Sequence, residues 1–392
     1  MRFIDHIDIN PKISLTKGKI YPFVEMANVS TTNRKPDLID YKEYSSGVKF
    51  EEYDTVIARI EPCLQNGKRF FAKNIKKGFG STEYLVFRPK DDSVDAVFLY
   101  YFMQSDFIKK SMVGSMTGAT GRQRVNNDIF KTLEISLPAI KIQKKIGQIL
   151  SVYDDFIENN NKQIKLLEEA VQRLYKEWFV DLHFPGYEDV EIVEGLPKGW
   201  QKDKADSFYN ITIGKTPPRS EKECFVDGNS GIKWASISDM GNAGTFIFST
   251  NEGLTEDAVE EYNMKIVPKG TVLVSFKLTV GRVVITTDKM CTNEAIAHFY
   301  VEDDDLRTYT YCYLKNFEYD TLGNTSSISK AVNSKIIKAM TFLMPSDAVI
   351  KEFSTKVTPL LKAICLKQES IIKLTEARDR LLPKLMSGEI EV

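Results

Sequence analysis

With 392 residues, 42% of them hydrophobic and 27% charged, the chain has the make-up of an ordinary soluble protein of two to three domains, which excludes an intrinsically disordered chain. Its net charge of −1 excludes a uniformly basic coat, so any nucleic-acid surface must be a local patch. Five widely spaced cysteines, no Cys-x-x-Cys and three histidines argue against a zinc site, and no long apolar run or signal-like start argues for a membrane; the expectation is a cytoplasmic chain with reduced thiols and no metal.

Residues 1–138 read as a first globular unit, mildly basic by its side chains. Strands are expected at 21–27, 53–60 and 83–87, and an aromatic-rich helix at 97–110. A glycine-punctuated loop follows at 114–124, then a short helix capped by Asn126 or Asn127 and a final strand at 133–137. Residues 139–180 read as one long amphipathic helix, interrupted by no proline or glycine from Gln148 to Val180. Its seam is Ile146, Tyr153, Asn160, Leu167 and Leu174 alternating with Leu150, Ile157, Ile164, Val171 and Trp178, the spacing of a coiled coil. About 40 helical residues make a rod roughly 60 Å long, which cannot bury its stripe alone. An acidic flank at Asp154, Asp155 and Glu158 is expected to face away from nucleic acid or toward a basic partner, while Phe156, Trp178 and Phe179 are candidates for docking or for burial.

Residues 181–200, broken by Pro185, Gly186, Gly195, Pro197 and Gly199, read as a linker. Residues 201–345 then repeat the first unit: a strand at 232–238 matches that at 21–27 with Trp234 against Phe23, 271–276 matches 55–60, and Glu294 falls beside Glu83. Residues 346–392 form a second rod, with Pro359 expected to kink it or delay its start and Pro383 to loosen its end. An offset of 207 carries the first seam onto Phe353, Leu360, Lys367, Leu374 and Leu381 and onto Val357, Ile364, Ile371, Arg378 and Leu385. The polar positions Asn160 and Lys367 match, and together they are expected to set the helix register. A constant offset over so many positions identifies an internal duplication.

Catalytic patterns fail. Gly214-Lys215-Thr216 has Tyr209 where a phosphate-binding loop needs glycine, and the carboxylates around Pro36-Asp37 and Asp40-Tyr41-Lys42 are too close in sequence to converge on a metal from separate elements. Three scattered histidines assemble no Ser-His-Asp set. The expectation is a non-catalytic α+β chain: two similar mixed α/β domains separated by two long antiparallel helices, with approximate two-fold symmetry. Such a pair of readers suits duplex DNA with two half-sites at a fixed spacing.

The stretches 137–150, 167–179, Leu196-Pro-Lys-Gly-Trp200, Gly214-Lys-Thr-Pro217 and 381–390, in this order and with the duplication, resemble the specificity (S) subunit of type I restriction-modification systems. That resemblance covers nearly the whole chain. It implies two target-recognition domains reading a bipartite, asymmetric site on double-stranded DNA. It also implies long helices docking two methyltransferase (M) subunits, with restriction (R) subunits added for cleavage. No cofactor is expected in this chain; S-adenosylmethionine, ATP and Mg are expected on the partners. The alternatives are a related methyltransferase–nuclease system cutting on both sides of its site, or a coiled-coil scaffold without a DNA role.

The glycine loops are the leading DNA candidates. In the first, Thr120, Arg122, Gln123 and Arg124 supply groups for bases or phosphates, ahead of a helix N-terminus that favours phosphate. In the second half Ser326, Ser327 and Lys330 are the counterparts, and Lys68, Arg69, Lys215, Arg219, Lys277 and Arg282 are candidate phosphate contacts.

Overall fold

A computed structural model describes residues 1–228, 230–322 and 332–392 of the chain. The long heptad stretches form helices as the spacing predicts. The first runs Ile140–Tyr175 and continues into a wider π-helical turn, Lys176–Val180; the second runs Asp347–Ser387. Neither Pro359 nor Pro383 interrupts the second helix. Buried Phe353, Val357, Leu361 and Ile364 around the one, and Leu382 and Leu385 beside the other, supply packing that offsets a missing backbone bond.

The chain divides into two compact units, Met1–Asn161 with Ser370–Val392, and Lys162–Glu369. Each contains a stretch of both long helices, and in each those stretches run antiparallel. In the first unit Asp154 meets Arg378 and Asn160 meets Ser370; in the second the rings of Trp178 and Phe353 lie 5.5 Å apart.

The first unit holds two sheets. One orders its strands Ile7–Ile9, Tyr84–Pro89, Thr55–Ala58, Arg69–Phe71; the other Asp40–Glu43, Ile20–Val24, Lys77–Gly80, Val48–Glu51. The second unit repeats the first sheet as Thr212–Ile213, Ile296–Phe299, Val272–Ser275, Val283–Thr286, and adds Phe246–Ile247 at the edge. Its other sheet orders Phe225–Asp227, Glu252–Leu254, Ile232–Ala235, Cys291–Thr292. The correspondence extends to register. Phe23 pairs in parallel with Phe79 as Trp234 does with Cys291, and Val56 faces Val86 as Leu273 faces His298. By that register the strand beginning at Thr55 corresponds to one beginning at Val272, one residue later than the hydrophobic match places it.

Local departures have local causes. The helix expected over 97–110 is two, Ala96–Phe102 and Asp106–Gly114. Asp95 caps the first by accepting from the Phe98 N–H, while the Gln104 amide closes its end on the Tyr100 carbonyl. Residues 133–137 form no strand of a ladder. They pair instead with the first residues of the chain, Phe3 N–H donating to the Leu133 carbonyl and Ile135 N–H to that of Met1. The equivalent strand in the second unit, Thr341–Met344, pairs fully with Gln201–Lys204. Asn333 caps its short helix through bonds from Lys335 and Ile336, whereas in the first unit Asp128 stands at the cap position and Asn126 only accepts from the Asp128 N–H.

Candidate nucleic-acid interface

The first glycine loop is a small hairpin. Thr117 and Arg124 exchange both backbone hydrogen bonds, at 3.0 and 2.9 Å, and the returning strand continues onto the chain at 59–61 through Glu61 N–H to the Gln123 carbonyl and Val125 N–H to that of Arg59. Gly118 and Gly121 occupy positive φ, 122° and 78°, where a side chain would be strained. The Gly121 N–H donates to the Glu61 carboxylate at 3.0 Å. Arg124 forks onto both oxygens of Glu83 at 2.7–2.9 Å, which raises its pKa through that hydrogen bond and ties the loop to the start of the Tyr84–Pro89 strand.

These bonds leave Thr120 and Arg122 exposed at the tip, with no side-chain hydrogen bond to a described residue, while Gln123 is half-buried with its amide 3.5 Å from the Gly118 carbonyl. The helix after the loop is a single turn, Ile129–Thr132, too short to offer the phosphate site expected of a helix N-terminus.

Most of the remaining cations serve the fold. Lys68 donates to the Met26 carbonyl at 2.7 Å, and Arg69 to those of Gly67 and Thr31. Lys215 caps the Asn263 carbonyl at 3.1 Å, and Arg282 donates to that of Ile237. Arg219 forks onto Glu252 at 2.8 and 3.0 Å while lying over Phe225 and Trp234, 4.2 and 4.7 Å from their ring centres. Lys277 is the exception in the second unit: it is exposed at the tip joining Val272–Ser275 to Val283–Thr286, beside its neighbour Phe276. Ser326, Ser327 and Lys330 lie outside the described residues.

The same tip carries a residue that polarity alone did not single out. Leu278 is 97% exposed with φ 59°, an unusual conformation for a non-glycine residue. The turn is built beneath it: the Ser275 hydroxyl donates to the Thr279 carbonyl at 2.5 Å and accepts from the Arg282 N–H at 3.0 Å. Nearby, partial burial works to raise the pKa of Glu294, but hydrogen bonds from Thr216 and its own backbone, with Lys277 and Arg219 close by, hold it below the usual value.

The acidic helix flank is met by basic groups of its own unit. Asp154, buried, accepts from Arg378 and from the Tyr101 hydroxyl, each at 2.5 Å; Asp155 and Glu158 accept from buried Arg34 at 2.5 and 2.9 Å, and Lys35 and Lys73 complete the set. Burial alone would lower the pKa of Arg34; the hydrogen bond to Asp155 and the charge of Glu158 raise it instead. Arg378 is a seam residue, so the closest polar coupling across this helix pair is Arg378 with Asp154; Asn160 makes a longer bond, 3.4 Å, to the Ser370 hydroxyl. Lys367 belongs to the other unit and is half-buried. Trp178 and Phe179 are buried in the second unit's core, whereas Phe156 stays 56% exposed.

Among the described residues no cluster of three or more His, Cys, Asp or Glu side chains could hold a metal ion, and no helix is long and apolar enough to cross a membrane.

Comparison with known proteins matches this chain twice to one family, described as the type I restriction modification DNA specificity domain, over residues 8–169 and 197–376. The chain is similar to the specificity subunit of the type I restriction enzyme MjaIX of Methanocaldococcus jannaschii, 27% identical with 78% of this chain and 71% of that protein covered. It is also similar to the HindI specificity subunit of Haemophilus influenzae, 26% identical with 86% of each covered. The fold is shared with the crystal structure of a type I restriction-modification S subunit from M. genitalium, at a TM-score of 0.56 and 15% identity over 98% of this chain and 95% of that one.

Proposed function

The chain belongs to the type I restriction modification DNA specificity family, and on that premise we propose that it is the DNA-reading subunit of a restriction-modification assembly in which each unit reads one part of a bipartite duplex sequence. The observation that carries this reading is one sheet frame used twice in matching register, with different residues at the matching tip: Gln65 and Asn66 are exposed between Thr55–Ala58 and Arg69–Phe71 in the first unit, Lys277 and Leu278 between Val272–Ser275 and Val283–Thr286 in the second, while Thr120 and Arg122 stand on a separate hairpin of the first unit. A repeated scaffold with changed tips is what reading two different words requires, because base contacts come from loops held by a rigid frame. Arg122 has the donor fork to pair with guanine, and Thr120 a hydroxyl and a methyl for base edges.

The chemistry is assigned to other chains. Methyltransferase subunits would bring S-adenosylmethionine and modify adenine; restriction subunits would bring ATP and Mg for cleavage. The long helices are the proposed docking rails. Val152 and Phe156, one helical turn apart, expose apolar side chains that a partner helix could cover.

The test is an electrophoretic shift of long duplex DNA by the chain with and without its methyltransferase subunit. A sequence-selective complex in the presence of the partner is expected. No selective complex in either lane would leave a scaffold without a DNA role. With selective binding in hand, Arg122→Ala is expected to weaken it by about 1–3 kcal/mol and to relax preference at one position only.

A further inference from the structure

We infer that the outward face of the Asp40–Glu43, Ile20–Val24, Lys77–Gly80, Val48–Glu51 sheet in the first unit is a platform for the phosphate backbone of duplex DNA, carried by Lys19, Lys42, Lys49 and Lys77.

Strand alternation and register place one set of side chains on this face: Tyr21 and Phe23 from one strand, Lys42 opposite Tyr21, Phe79 beside Phe23, and Lys49 opposite Phe79. Lys19 extends the row of Tyr21, and Lys77 that of Phe79. The other face, with Val24 and Phe50, is packed into the core. The rings of Phe23, Phe79 and Tyr44 pack in a row along this face, with centres 5.0 and 5.1 Å apart at tilted and edge-on angles; Phe79 and Tyr44 are buried beneath the side chains above them.

The lysines stand over this row. Lys42 Nζ lies 4.1 Å from the Phe23 ring centre and Lys49 Nζ 5.2 Å from that of Tyr44, so the rings hold the ammonium groups without neutralising them. Lys19 and Lys77 lie close enough to Tyr21 to help lower its pKa, after the hydrogen bonds it receives from Thr16. None of the four lysines is ion-paired with a described residue. Two carboxylates share the face. Glu51 is taken by Arg88 at 2.5 Å, and Asp40 sits opposite Phe23.

The matching face of the second unit shows what a neutralised version looks like. Trp234 replaces Phe23, Glu252 stands opposite it where Asp40 stood, and the cation above the ring, Arg219, is locked onto that carboxylate. Unpaired ammonium groups on one face of a sheet, on strands whose outermost members are about 14 Å apart, match a polyanion on the scale of a B-DNA groove. Lysines as point charges over aromatic rings position a backbone without reading bases.

The inference rests on the DNA-reading function and adds where backbone affinity comes from. Its test is a fluorescence-anisotropy titration of the full chain with its methyltransferase subunits against two duplexes, one carrying the recognised word and one lacking it, between 50 and 200 mM salt (roughly the range over which phosphate contacts dominate). The triple variant K42Q/K49Q/K77Q is expected to lower the slope of log affinity against log salt by about 3, one for each lost contact, and to weaken both duplexes by about the same factor. Circular dichroism melting verifies that the variant folds. An unchanged slope in a folded variant, with Arg122→Ala still impairing binding, would overturn the platform and leave the reading function standing. Loss of methyltransferase co-elution at an unchanged slope would make the face a protein-docking surface and equally overturn it. Absence of duplex binding by the wild-type assembly would remove the underlying function, and this inference with it.

Discussion

Both units pack their long helices through apolar residues, but the buried polar contact beside that packing differs: an ion pair in the first unit, an amide and a hydroxyl–carboxylate bond next to a ring cluster in the second. Asp154, Arg378, Tyr101 and Arg34 form a buried ionic and hydroxyl network, with Asp155 and Glu158 at its edge. The second unit uses Gln368, which accepts from the Phe246 N–H at 3.0 Å and donates to the Ala243 carbonyl at 2.6 Å, together with Thr245 donating to Glu168 and the cluster of Trp178, Phe179, Tyr309 and Phe353. One frame therefore tolerates two fastenings of different chemistry. They differ in what happens when a single partner is removed, because an orphaned buried charge costs more than an orphaned amide partner.

The largest expected effect follows from that difference. Arg378→Ala leaves the buried Asp154 carboxylate without its paired cation, held by the Tyr101 hydroxyl, and is expected to destabilise the first unit by about 3–5 kcal/mol, against about 1–2 kcal/mol for Gln368→Ala in the second. Denaturant unfolding of the two variants measures both; equal losses would dissolve the contrast.

A pH scan separates the units next. His298 is buried between the hydroxyls of Thr292 and Thr212, at 2.7 and 2.9 Å, and burial first, with Lys265 second, pushes its pKa down to about 4. The folded unit leaves this imidazole neutral where the unfolded chain takes up a proton. Its stabilising effect is therefore complete above about pH 6.5 and is lost as pH falls toward 4, by about 3 kcal/mol. The register counterpart in the first unit is Val86, which cannot titrate. Amide exchange should show the second unit's core loosening through this window in a way that His298→Gln abolishes; equal loosening of both cores would contradict the assignment.

Smaller effects refine the picture. Arg219→Ala removes a half-exposed ion pair and a ring contact, and is expected to cost about 1 kcal/mol by thermal melting. Asn160→Leu loses only a long hydrogen bond, so its stability should change by less than about 1 kcal/mol. If it nevertheless altered oligomeric state, Asn160 rather than Arg378 would set the register.

The rods and the duplication were legible because heptad spacing and a constant offset survive in the order of residues. The seam residues Ile146, Leu150, Ile157, Val171 and Trp178 are buried as their spacing predicts. Pro359 misled because propensity is local, while the buried residues flanking it are not. The roles of Arg124 and Arg219 could not be read, since each depends on a carboxylate, Glu83 or Glu252, brought in by a distant strand. The lysine platform was hidden for the same reason. Its members are spread from Lys19 to Lys77 and share a face only once four strands are in register. Leu278 leaves no mark in the sequence, because an apolar tip is conspicuous only by its exposure in the fold.

The most direct measurement is a map of modified adenines in a genome carrying this chain and its methyltransferase, compared with the map for the double variant T120A/R122A. The account predicts a two-part word with a fixed gap, and a variant that changes one part while leaving the other and the gap intact. A single uninterrupted word, or simultaneous change in both parts, would contradict it.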